Sequence, residues 1–478
     1  MKQAPTAPSA LVIFGVTGNL SQHMLLPALY HLERENLLPE QFHIIGIFRR
    51  DVTVAQLFEA AIPEIESDGQ AVDHSVLDRL LHRIHSVHMD STEAGHYDRL
   101  TDKLAELDEA AGVPLNHLFY LAVPPNIFKT VIGNLAHAGL NKPAGERASR
   151  LLIEKPFGDD LDSATNLISF VSEHFQEDQI FRIDHFLAKE TAQNILTFRL
   201  SNPLIEAIWN RQFIDHIEIT AAEQIDIQGR AAFYESMGAL RDVMQNHLMQ
   251  LLALVMMEYP QDMTATAIHD EKQRLFDSIM PIDLNRVDEV AVRGQYEGYR
   301  DEAGNPDSKV ETFSAIKLSV DNSRWDGVPV LLRTGKALAT KTTEIVVVFK
   351  DRTNRDLEDN RLVIRIQPNE GISLHLLAKK PGFNGDLQPV NMDFSYSNSF
   401  DGHQPAAYQR VLVDAMRGDR SLFASSDEVL SSWRILQPII DAWKASDEAP
   451  MPYAKGSWGP DAADDLAARS AAKWNNAA

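Results

Sequence analysis

The chain has 478 residues, too many for one small core, so two domains are expected. Hydrophobic residues make up 44% and charged residues 24%, as in an ordinary globular enzyme, while the formal net charge of -23 argues against nucleic acid or an anionic membrane as partner. With no cysteine, disulfides, thiolate nucleophiles and Cys-ligated zinc are excluded.

The first ten residues are rich in Pro and Ala and lack the apolar core of a signal peptide, and no apolar run is long enough to span a bilayer. A cytoplasmic protein is the expectation. The acidity also sets a local requirement: an anionic substrate is repelled unless lysines and arginines gather at its site.

Strand and helix patterns alternate through the first 189 residues. An apolar strand at 11–14 leads to a helix at 20–35, a strand at 42–48 and a helix at 54–62. A short strand at 84–89 precedes a charged amphipathic helix at 91–111. There follow a strand at 117–123, a helix at 126–138, a strand at 150–154, a helix at 160–174 and a strand at 180–183. Repeated βα units predict a parallel, doubly wound, Rossmann-like sheet with right-handed crossovers.

After Lys189 the pattern changes. Residues 213–219 alternate with period two, and 234–257 read as one long helix. Strands are predicted at 312–320, 328–333, 344–349, 361–366 and 372–377, closely spaced as in a mainly antiparallel sheet. The division is therefore an NAD(P)-binding domain at 1–189 and a larger α+β domain at 190–478 for substrate and oligomerisation. Residues 299–309 read as a surface loop, and the tail after Pro460 as a segment with a fraying end.

Gly15-Val16-Thr17-Gly18-Asn19-Leu20 lies between the first strand and the first helix. A phosphate-cradling turn belongs there: glycines let the backbone approach, and the helix N-terminus offers free N–H groups. The spacing lacks the third glycine of the full fingerprint, and a plain turn would show it too. The second strand ends Phe48-Arg49-Arg50-Asp51. Arginine there suits the 2'-phosphate of NADP, although Asp51 leaves NAD open and two exposed loop arginines are the bland alternative. Pro124 breaks a further strand at its carboxyl end, where ligands bind in such sheets, but a pure turn role also explains it.

Glu154-Lys155-Pro156-Phe157-Gly158 closes a later strand and leaves Lys155 at its carboxyl end. Arg182-Ile183-Asp184-His185-Phe186-Leu187-Ala188-Lys189-Glu190 gathers an acid, bases and an arginine that are costly to bury unpaired. Alternation along a strand would send Asp184 and His185 to opposite faces unless the strand ends there. Within the predicted long helix, Arg241, Asp242, Gln245, Asn246 and His247 interrupt an apolar segment and need partners if buried.

These segments resemble the glucose-6-phosphate dehydrogenase family, as do Arg333-Thr334-Gly335-Lys336, Lys341 and Gly456-Ser457-Trp458-Gly459-Pro460. The resemblance covers roughly residues 10 to 460. It implies oxidation of β-D-glucose 6-phosphate at C1 to the 6-phosphogluconolactone, with hydride transfer to NADP and NAD as an open alternative. It makes His247 the general base and Asp184 its hydrogen-bonded partner. It assigns the phosphate to His185 and Lys189, and sets Lys155, Glu223, Asp242, Lys336 and Lys341 around the sugar phosphate. Gly15, Thr17, Gly18, Asn19, Leu20, Arg49, Pro124 and Lys155 are the implied cofactor contacts. No metal is implied, and a homodimer or homotetramer formed through the second sheet is. The pathway role, entry to the pentose phosphate pathway, rests on the resemblance alone.

The sequence departs from the family at Phe186, usually tyrosine, at Ala188, usually glycine, and at Asn19, usually aspartate. The helix start Ser21-Gln22-His23-Met24 is often basic in the family, which bears on selectivity for NADP. Two other readings stay open. One is an NAD-dependent dehydrogenase of an unphosphorylated sugar or inositol, which leaves Lys189, Lys336 and Lys341 unexplained. The other is a non-catalytic cofactor-sensing relative, against which the intact pair Asp184 and His247 argues.

Overall fold

The computed structural model describes residues 7–49, 53–143, 145, 147–351, 359–400 and 404–476. Six parallel strands form the first sheet: β1 (Ser9–Phe14), β2 (Phe42–Phe48), β3 (Ile84–His88), β4 (Asn116–Leu121), β5 (Ser149–Ile153) and β6 (Ile180–Ile183). Their order is β6-β5-β4-β1-β2-β3. Apart from the edge strand β3, the strands are mostly apolar runs because helices cover both faces. Along β1, Leu11 and Ile13 pack with Leu25, Leu29 and Leu80 on one face, and Val12 and Phe14 with Leu100, Leu104 and Val131 on the other. The strand order reverses between β1 and β4, which opens a crevice at their carboxyl ends.

The second sheet contains β7 (Ile214–Ala222), β8 (Ala291–Tyr296), β9 (Phe313–Leu318), β10 (Val330–Gly335), β11 (Thr342–Phe349), β12 (Arg361–Gln367), β13 (Gly371–Lys379) and β14 (Leu387–Ser395). β15 (Phe423–Ala424) returns to the first sheet and pairs antiparallel with β6, while β16 (Met451–Tyr453) edges the second. The second sheet runs β14-β13-β12-β11-β7-β10-β9-β8-β16. Its pairs are antiparallel except β7 with β10 and β8 with β16. The helix Ala407–Arg417 also packs on the first sheet, through Val411, Leu412, Ala415 and Met416. Among the described residues no helix is long and apolar enough to cross a membrane.

Two elements differ from the sequence expectation. The long helix at 234–257 is three pieces: Ala231–Ala239, wide turns over Leu240–Leu248, and Met249–Met256. Gly238 interrupts it at φ 65°, and the Glu311 carboxylate fills the space where a Cβ would stand, 2.4 Å away. Glu311 Oε1 accepts the freed Leu240 N–H at 3.0 Å. The loop at 299–309 contains a short helix, Tyr299–Ala303. The tail carries a helix, Ala462–Ala468, and a buried Trp474, while its end at 477–478 lies outside the described residues. Trp474 and Trp458 sandwich the Arg333 guanidinium at 4.5 and 4.6 Å.

Candidate active site

β6 stops at Ile183, so Asp184 and His185 lie beyond the ladder and alternation no longer separates them. The wide turns at 240–248 bring His247 to the same point. Its Nδ1–H donates to Asp184 Oδ1 at 2.6 Å, and both side chains are buried. A carboxylate can only accept, so the proton sits on Nδ1 and the free lone pair on Nε2. The backbone N–H of Phe186 donates to the same Asp184 oxygen at 2.9 Å.

Burial would raise the Asp184 carboxyl, but the charge and hydrogen bond of His247 outweigh it and bring the pKa to about 2. Burial lowers the pKa of His247, assisted by Lys155 and opposed by Asp184. It also drives His185 well below the usual imidazole range, with His247 adding to the effect. Both rings therefore rest neutral near pH 7, beside an ionised carboxylate.

Phe186 lies flat on His247, ring centroids 4.1 Å apart, and His185 meets the same ring edge-on at 4.7 Å. Tyr408, from the helix that returns to the first sheet, stacks on His185 at 6.4 Å. The Tyr408 and Tyr120 hydroxyls both donate to Glu154 Oε1, at 3.2 and 2.5 Å. Burial lifts the Glu154 carboxyl to about 6 despite these bonds. Glu154, Tyr408 and the stacking role of Phe186 were not anticipated. Only Glu154 left a trace, an acid at the end of an apolar strand.

Lys155 follows β5 and donates from Nζ to Asp242 O at 2.9 Å and Asp242 Oδ1 at 3.1 Å. Burial would raise the Asp242 carboxyl, but Lys155 and Lys336 hold it below its usual value. Lys336, just after β10, is buried and pairs with Glu223 at 2.6 Å. Lys189 donates to Gln367 Oε1 at 2.5 Å and lies 5.8 Å over the Phe186 ring. Burial lowers its pKa, with Glu370 opposing and the neighbouring Lys341 adding to the fall. Lys341 itself is exposed. The lysines thus line one approach to the Asp184–His247 pair, and give a local positive field that the whole chain lacks.

Gly15 to Leu20 form the turn after β1. Gly15 has φ 85° and lies so close to Ala122 that a Cβ would be 2.3 Å from its carbonyl oxygen. Gly18 N–H donates to Gly15 O at 2.9 Å, and Thr17 and Asn19 stand exposed at the helix start. Pro124 follows β4 across the same crevice. This small-residue turn, with helix N–H groups at its rim, fits a dinucleotide pyrophosphate. Arg49 follows β2, and its side chain is 73% exposed and pairs with Asp90 at 3.5 Å. Arg50 and Asp51 lie outside the described residues. Asp184, His185 and His247 also offer one ligand atom each within 4.8 Å of one another.

A doubly wound sheet with this crevice, facing a buried imidazole–carboxylate pair ringed by lysines, defines a dehydrogenase of the nicotinamide-dinucleotide class. Residues 12–194 match the family description "Glucose-6-phosphate dehydrogenase, NAD binding domain", and residues 196–475 match "Glucose-6-phosphate dehydrogenase, C-terminal domain". Glucose-6-phosphate 1-dehydrogenase of Chlamydia muridarum is 41% identical, over 98% of this chain and 97% of that one. A solved glucose-6-phosphate dehydrogenase in complex with its substrate glucose-6-phosphate superposes with a TM-score of 0.91 at 34% identity, covering 100% of both chains. The crystal structure of glucose-6-phosphate 1-dehydrogenase from Mycobacterium avium gives 0.83 at 38% identity, over 98% of this chain and 99% of that one. The chain belongs to the glucose-6-phosphate dehydrogenase family.

Proposed function

We propose that the chain oxidises β-D-glucose 6-phosphate at C1 to 6-phospho-D-glucono-1,5-lactone, the first step of the pentose phosphate pathway, with NADP as the preferred acceptor and NAD as a second. The observation that carries this reading is the 2.6 Å hydrogen bond from His247 to Asp184 inside a ring of lysines. His247 Nε2 takes the C1 hydroxyl proton. Asp184 stays ionised, holds the ring in the required tautomer and stabilises the imidazolium that forms. Lys189, His185 and Lys341 receive the phosphate, and Lys155, Glu223, Asp242 and Lys336 orient the sugar. The bound nicotinamide supplies the hydride acceptor. Gly15, Thr17, Gly18, Asn19, Leu20, Pro124 and Lys155 hold the cofactor, and exposed Arg49 suits a 2'-phosphate.

The same reading divides the labour between residues 1–189, which bind the dinucleotide, and 190–478, which bind the sugar. It takes the enzyme as cytoplasmic and as a homodimer or homotetramer. Exposed Met392 on β14 and Phe383 in the turn before it support assembly through that end of the second sheet.

Reduction of NADP and of NAD is to be followed with glucose 6-phosphate and with glucose, in the wild type and in His247→Asn. Turnover should require the phosphate, favour NADP, and fall roughly 10²- to 10⁴-fold in kcat in the variant. Equal rates with glucose would favour an unphosphorylated sugar. Cofactor binding without turnover would favour the sensing relative.

A further inference from the structure

A second cavity of about 350 Å³ opens beside the start of the wide turns that carry Asp242 and His247. It shares no residue with the site above. Arg241, Arg293, Lys309 and Lys444 line it, together with apolar Leu240, Val310, Ile440 and Trp443. Four cations around one cavity are unexpected in a chain of net charge -23.

Three acids line it too, Glu235, Asp307 and Glu311, so the cations outnumber them by one. Glu235 is occupied by three neutral donors, the Tyr299 and Ser308 hydroxyls and the Asn305 amide, each at 2.6 Å. Glu311 is spent on the Leu240 N–H. Arg293 donates to the carbonyls of Trp443 and Glu448, and Lys309 pairs with exposed Asp447. Arg241 is different. Among the described residues its Nε is buried with no acceptor, and its one side-chain hydrogen bond is a long 3.4 Å contact to Met237 O. A buried guanidinium N–H without an acceptor carries a desolvation cost that structures rarely leave uncompensated. Lys444 at the rim makes no side-chain hydrogen bond or ion pair among the described residues.

We propose that this cavity is a second anion site, separate from the sugar-phosphate site, which takes a small phosphate-bearing molecule. The planar guanidinium of Arg241 matches a phosphate edge, Lys309 and Lys444 close the rim, and Trp443 and Leu240 accept the apolar body. The volume is that of a small-metabolite pocket.

Calorimetric titration of the full chain with inorganic pyrophosphate tests this, in the wild type, in Arg241→Met, in the double variant Lys309→Met/Lys444→Met, and in Lys189→Met/Lys341→Met as a control. The rim double variant removes only exposed side chains, so its folding is not at stake. Both cavity variants should weaken one equivalent of binding at least tenfold, while the control keeps that equivalent. Binding that survives both cavity variants and disappears in the control, or no binding at all, overturns the proposal.

Discussion

A histidine that works as a base needs a free lone pair at working pH, and here burial and a fixed tautomer secure it together. Burial keeps the ring neutral, and Asp184 holds the proton on Nδ1. Because the pKa of His247 is lowered, the neutral base persists below the ordinary value of 6.5. The acid limb of kcat/KM should therefore fall on the low side of that value. Asp184→Asn removes the group that raises the His247 pKa, so the limb should move further toward acid while kcat drops. A limb that moves toward alkali would contradict the assignment. Phe186 offers a second test on the same ring. It supplies stacking, but where the family usually has tyrosine it brings no hydroxyl to the phosphate. A hydrogen bond to a charged group is worth about 1.5–3 kcal/mol, less what water restores. Phe186→Tyr should lower KM for glucose 6-phosphate roughly threefold to tenfold with kcat little changed, and an unchanged KM would reject the idea.

Among the elements, those with a strong periodic signal were legible and those specified by distant contacts were not. Apart from the edge strand β3, Ile-His-Ser-Val-His, the strands of the first sheet stand in the sequence as mostly apolar runs between turn residues. Asp184, His185 and His247 stood out as polar groups in apolar surroundings. β14 (Leu387–Ser395) reads as polar and contains Pro389, so an edge strand with one exposed side gives no clear pattern. β15 has two residues and is defined only by its partner β6. The break at Gly238 was hidden because its cause, Glu311, lies far along the chain. That break sets where the turns carrying Asp242 and His247 begin. Gly238→Ala would force φ 65° on a residue with a Cβ and drive it into the Glu311 carboxylate. It should destabilise the protein by more than about 1 kcal/mol and lower kcat as well. A melting temperature and rate equal to wild type would show that the kink does not position the helix.

At the scale of the molecule, the tail after Pro460 is a structural part and not an appendage. Trp474 covers Arg333, which is buried beside Glu218 and Glu344, and its indole N–H donates to Ala463 O at 2.8 Å. Trp474→Ala would remove a buried ring and open one side of a buried guanidinium. A loss of about 3–5 kcal/mol is expected by denaturant unfolding. A shift below about 1 kcal/mol would mean that the tail only rests on the sheet.

The pairing of β15 with β6 also has a consequence for synthesis. Ile183 leaves the ribosome about 240 residues ahead of Phe423, a delay on the order of tens of seconds at typical elongation rates. Throughout that interval the edge of β6 lacks its partner, and the helix bearing Tyr408 is made only near its end. The nascent N-terminal lobe can therefore close its dinucleotide crevice early, but it waits for the last quarter of the polypeptide before its own border is sealed.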